Sequence, residues 1–165
     1  MTVSKTTLVL LSAATTLMLA HYYPQMPDPM AAHFDGSGQP NGWQSREGFF
    51  LLTGAMVLLV VVMFAGTGLL FRSLPTSLFN LPNRDYWLAP ERRDSTIAFM
   101  ARQMDWFGVG TLVLLAAVVW MAMEANLGPD PMLDSSTMWW LLGIYLVFTT
   151  LWLVHFVLKF RAAPH

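Results

Sequence analysis

The residues best equipped for chemistry are two histidines and the carboxylates near them. His21, His33, Asp35 and Glu124, with Asp28 close by, carry imidazole and carboxylate groups of the kind that bind Zn²⁺ or Mn²⁺. Their spacing is that of no metal motif such as H-E-x-x-H. The plainer reading is that His33 and Asp35 hydrogen-bond the backbone of their own loop and hold its turn. His155 lies in an apolar run four residues before Lys159 and is expected to hydrogen-bond a neighbouring helix. A bis-histidine haem site would need a second histidine at its depth, and His21 belongs at the other end. Met26, Met30, Met132 and Met138 form no tight Met-x-x-Met cluster, so copper is not indicated and methionine reads as apolar filler. Asp105 is placed to pair with Arg102, three residues earlier on one helix face. No Ser/His/Asp constellation is present, so no enzyme activity and no cofactor are expected.

Composition decides what kind of scaffold holds these groups. Of 165 residues, 55% are hydrophobic and only 12% charged, where a soluble domain carries about a quarter charged. Net charge is −1, which gives no electrostatic footing for nucleic acid. The absence of cysteine removes disulfides, thiol catalysis and Cys-ligated metal sites.

Four stretches meet the requirement of about 20 mostly apolar residues for crossing a bilayer, at about 6–23, 48–71, 105–123 and 137–158. The first reads as a retained helix, because cleavage after Ala20 would put bulky Met18 where a small residue is needed. The expected fold is an all-α integral membrane protein, a single four-helix bundle with an outer loop at 24–47 and an inner connector at 72–104. Lys and Arg number eight across the N-terminus, the connector and the C-terminus, against one, Arg46, in the outer loops. The positive-inside rule therefore predicts both termini in the cytoplasm. Tyr22, Tyr23, Trp43, Trp139 and Trp140 would form the outer aromatic belt. Gly54, Gly66, Gly68, Gly108 and Gly110 are candidates for close helix approach.

Two non-spanning segments stand out. Pro24–Trp43 holds four prolines and three glycines in twenty residues, stiffened by proline and expected to bend at Asp35-Gly36 and Asn41-Gly42. In the connector, Asn80-Leu-Pro82-Asn83 reads as a turn, Tyr86 and Trp87 as headgroup-level aromatics, and Pro90 as the first residue of a helix. Ile97, Met100 and Met104 share one face, with Arg93, Asp94 and Arg102 largely elsewhere. That pattern predicts an amphipathic helix on the inner surface leading into the third span.

The loop motif Pro24-x-x-Pro27, His33-Phe34 and Gly38-x-x-x-Gly42-Trp43 resembles that of a bacterial membrane domain family of unknown function. That domain is found at the N-terminus of immunity proteins against the sporulation-delay toxin. The run from Asn80 through Pro82, Asn83, Tyr86 and Trp87 to Arg92 and Arg93 resembles the inner connector of a subset of the family. The resemblance covers about residues 6–125 and implies a multi-pass protein of the bacterial cytoplasmic membrane with a structured outer loop and no assigned reaction. Some of those immunity proteins also tether a transcriptional repressor, through a second domain not expected in a chain of this length.

Three function classes follow. One is a non-enzymatic membrane protein of envelope signalling or toxin immunity. Another is an accessory subunit of a larger membrane transporter or membrane enzyme. The third is a divalent-metal-binding membrane protein. The expected partners are the lipid bilayer and a membrane protein or a second copy.

Overall fold

The computed structural model describes residues 2–162. Helix α1 runs Val3–Tyr22, β1 Met30–Phe34, β2 Pro40–Gln44 and α2 Arg46–Ser73. A four-residue α3, Arg84–Trp87, precedes α4, Arg93–Ala125, and α5, Ser135–Arg161. Four of these helices are long and apolar enough to cross a membrane.

Three of the long helices begin where a side chain satisfies the first free amides, while α4 has no side-chain cap. The Thr2 side chain accepts from Lys5 N, and Ser45 Oγ accepts from Gly48 N with Glu47 in the first turn of α2. Asp134 takes the amides of Ser136 and Thr137 at 3.0 and 3.3 Å and the Thr137 hydroxyl at 2.6 Å. Lys159 and Arg161 sit in the last turn of α5, where cations suit the helix dipole.

Helices α1, α2 and α4 pack together, and α5 lies against α4. Leu8, Val57, Phe64 and Leu112 form the mid-bundle cluster. Apolar attraction between helices is weak in lipid, so close packing must hold them. Gly108 supplies it, because a Cβ there would lie 2.6 Å from the Phe64 Cβ. Gly110 likewise admits the Phe148 ring of α5, and Gly68 brings α2 near Ala101. Gly54 and Gly66 face open space and play no such part. Aromatic pairs complete the α4–α5 seam, Phe107 against Trp152 at 4.7 Å, while Trp152 Nε1 donates to Gln103 O at 3.1 Å. Of α5's own residues only Phe160 is buried.

The connector differs from its expected form. Helix α4 starts at Arg93 rather than Pro90 and continues unbroken to Ala125. Ile97 and Met100 are buried against Phe79, Leu88 and Phe160, so this apolar face meets protein. The turn at Asn80–Asn83 is present, with Asn83 in the left-handed region at φ 52°. Asn83 Nδ2 donates to the carbonyls of Phe160 and Arg161, both at 3.1 Å, and Trp87 Nε1 donates to Phe160 O at 2.9 Å. Arg92 donates to Tyr86 O and lies 4.0 Å over the Tyr86 ring, and Arg93 donates to the carbonyls of Arg72 and Leu74. Asn80 and Pro82 are exposed in this turn. The connector thus ties together the ends of α2, α4 and α5. The Asp105–Arg102 pair does not form: Asp105 is buried and accepts from Ser4 Oγ at 3.0 Å.

Candidate functional site

The Pro24–Trp43 segment is an antiparallel β-hairpin, an element absent from the all-α expectation. Tyr23–Gln25 make one 3-10 turn around Pro24, and Pro27 leads exposed into the hairpin. Ala31 pairs with Trp43 and His33 with Gly42, with irregular register on either side of His33. Those irregularities mask strict alternation, which is why strands are hard to read here. The tip is closed by Asp35. Its Oδ1 accepts from Ser37 N at 2.8 Å, Ser37 Oγ at 2.7 Å and Gln39 N at 3.0 Å. Of the glycines, Gly38 alone has a positive φ, 89°, so the sharp bend is there and not at Gly36 or Gly42. Gly42 is needed for another reason: a Cβ would press on the His33 ring at 2.9 Å.

The donated hydrogen bonds hold the Asp35 carboxyl below its usual range. The unfolded chain therefore binds the proton more readily, and Asp35's contribution to stability is present above the ordinary carboxylate pKa. It is lost as pH falls through the depressed folded value. The amide resonances of Ser37 and Gln39 should titrate with a midpoint below that of a free aspartate, and Asp35→Asn should flatten them. A midpoint at or above the ordinary value would contradict the turn geometry.

Two clamps join the hairpin to the bundle. Asn126, just past α4, has its Oδ1 accept from Ala31 N at 2.7 Å. Its Nδ2 donates to Ala31 O at 2.9 Å and to Ala122 O at 2.7 Å. It thereby satisfies the free edge of β1 as a neighbouring strand would. At the tip, Leu133 N donates to Gly38 O at 2.9 Å, and a Cβ at Gly38 would collide with the Leu133 carbonyl. Below, Met26 and Met30 are buried with Leu19, Phe49 and Met123. The base is closed by Arg46, which donates to Met26 O at 3.3 Å and lies 5.0 Å over the Tyr23 ring. Asp28 accepts from the Arg46 amide at 3.2 Å. His33 and Trp43 remain exposed, Trp43 at 53%, while Phe34 is half-buried against the core.

The proposed metal ligands are not brought together. Among the described residues no group of three or more His, Asp or Glu side chains lies close enough to hold a metal ion. Asp35 is occupied by its own turn, and His33 lies over Gly42. His21 packs edge-on to Tyr22 at 5.4 Å. Glu124 accepts from the Tyr22 hydroxyl, which in turn accepts from Trp120 Nε1 at 3.0 Å. His155 is exposed on α5, 6.4 Å from the Phe99 ring. Asn126, Leu133 and Trp120 escape sequence reading, as does the bonding of Tyr22 to Glu124, two residues singled out for other roles. A lone Asn after a helix reads as a C-cap, and nothing local points to a partner 95 residues away.

The architecture defines a multi-pass helical membrane protein with a β-hairpin anchored on one end of its bundle. A model of a domain of unknown function (DUF1648) matches residues 10–57, which span most of α1, the whole hairpin and the start of α2. No curated protein and no solved structure shows significant similarity to the chain.

Proposed function

We propose that this chain is a non-enzymatic protein of a bacterial cytoplasmic membrane that displays its hairpin on the outer face to meet an extracellular ligand, in envelope signalling or toxin immunity. The observation that carries this reading is the combination of a doubly clamped hairpin backbone with outward side chains at His33, Asn41 and Trp43. A backbone fixed before binding loses little entropy on binding. An aromatic such as Trp43 is a common energetic anchor of interfaces. The excess of Lys and Arg at the opposite end supports the outward orientation. The resemblance of the loop motif to immunity proteins supports toxin protection as the process.

Because the chain has no cysteine, single-cysteine variants report sidedness without background. Ser37→Cys should react with a membrane-impermeant maleimide in intact cells, and Ser77→Cys only after lysis. The reverse pattern overturns the orientation. Cells lacking the gene should be more sensitive to peptide toxins secreted by neighbouring cells. A His33→Ala/Trp43→Ala copy, present at normal membrane level, should fail to restore resistance. Equal survival of deleted and intact cells removes the immunity reading, and a stoichiometric co-purifying membrane protein would favour an accessory subunit instead.

A further inference from the structure

At the end of the bundle opposite the hairpin, α1, α2 and α4 enclose a cavity of 230 Å³. Lys5, Arg72 and Arg102 line it, together with Thr2, Asp105 and the apolar Leu69. The three cations come from three different helices and converge on one place. Among the described residues none of them is ion-paired, since the salt bridge found is Arg84–Asp85. Lys5 Nζ rests on the Ala65 carbonyl at 3.3 Å, beside Gly68. Arg72 and Arg102 are exposed at the rim.

Asp105 forms part of the same wall and is 1% exposed. Its Oδ2 accepts from Ser4, but its buried Oδ1 has no hydrogen-bond partner among the described residues. A buried acceptor that meets neither protein nor water is costly, and more so when it belongs to an ionisable group. The cavity therefore presents three cations to an anion and holds in its wall a carboxylate oxygen that no protein donor meets. Leu69, at 76% exposure, flanks the cavity on an outer face of the membrane-spanning helix α2. The opening thus lies beside lipid. The volume is below the about 300–1,000 Å³ of drug-sized pockets, which suits a headgroup and excludes a whole lipid.

We propose that this cavity binds the headgroup of a phospholipid that carries a protonated primary amine, phosphatidylethanolamine, with the phosphate among Lys5, Arg72 and Arg102 and the ammonium at Asp105, whose side chain turns on binding so that Oδ1 faces the cavity. Phosphate among Arg and Lys makes charge-assisted hydrogen bonds, and the ammonium supplies the donor that Asp105 lacks. A choline headgroup has the same phosphate but no N–H, and a glycerol headgroup has hydroxyls but no positive charge.

The test uses the delipidated 165-residue chain in detergent micelles doped with dioleoyl phosphatidylethanolamine, phosphatidylcholine or phosphatidylglycerol at equal mole fraction. Thermal unfolding and native mass spectrometry read the result. The ethanolamine lipid should raise Tm by several degrees over the choline lipid and be retained as one molecule per chain with at least about ten-fold preference, or 1.4 kcal/mol. Arg72→Gln/Arg102→Gln, whose side chains are exposed and outside the packed core, should fold normally and lose the increment. Asp105→Asn should bind the ethanolamine and choline lipids alike. Equal shifts by the two lipids in the unaltered protein, a larger shift by phosphatidylglycerol, or an equal shift by inorganic phosphate would each overturn the proposal, as would retention by the double arginine variant.

Discussion

Asn126→Ala should release the hairpin from the bundle at a cost of roughly 3 kcal/mol, because it strands the buried N–H and C=O of Ala31 at about 1–3 kcal/mol each. Asn126 is 3% exposed, so water cannot take over these bonds without opening the site. Asn126→Asp is the sharper variant. Its carboxylate can still accept from Ala31 N but would face the carbonyls of Ala31 and Ala122 with no donor. It should lose at least as much as alanine despite its identical shape. Amide exchange should rise sharply at Ala31 and its strand neighbours while the centres of α2 and α4 stay protected. Unchanged protection at Ala31 would show that the Leu133–Gly38 contact alone holds the hairpin.

Gly108→Ala should separate α2 from α4. The added Cβ would lie 2.6 Å from both Cβ and Cγ of Phe64, and no rotamer change moves that Cβ. The helices themselves must shift, and overpacking of this kind costs about 1–3 kcal/mol. The effect matters more in lipid, where van der Waals fit carries most of the association. Gly54→Ala is the matched control: nothing lies within 4 Å of its Cβ position, and alanine is the better helix former by about 1 kcal/mol. Circular dichroism during thermal or detergent-induced unfolding should show a lowered midpoint for the first and an equal or raised midpoint for the second. Equal midpoints would remove Gly108 as the spacer of the bundle.

The four long helices were legible because a bilayer demands an apolar run that no other constraint disguises. The helix ends were less so: α4 begins at Arg93, three residues after the expected Pro90, and runs into the expected span unbroken, since a helix can continue past the hydrocarbon without any break in propensity. The importance of the Pro24–Trp43 segment could be read from its prolines and glycines, but its strands could not. Two short strands flank a five-residue tip; β1 breaks the alternation that marks a strand, and β2 alternates in exposure but is built of Pro, Asn, Gly, Trp and Gln, with its one large apolar side chain, Trp43, outward. The amphipathic stripe at Ile97 and Met100 was legible as a pattern and read as lying on the inner membrane surface, but sequence cannot say whether lipid or protein covers it. Phe79, Leu88 and Phe160 do. Asp105 pairs with Ser4 across 101 residues, where local spacing could propose only Arg102.

At 33 residues, α4 is about 50 Å long against a hydrocarbon core of about 30 Å. Near its start Arg93 grips the end of α2, and just past its other end Asn126 grips β1. It is thus a rigid rod fastened outside the apolar slab at both tips. A leaning of 10° about one tip carries the other by roughly 9 Å. The hairpin end and the connector end of the bundle are therefore joined through a single uninterrupted helix.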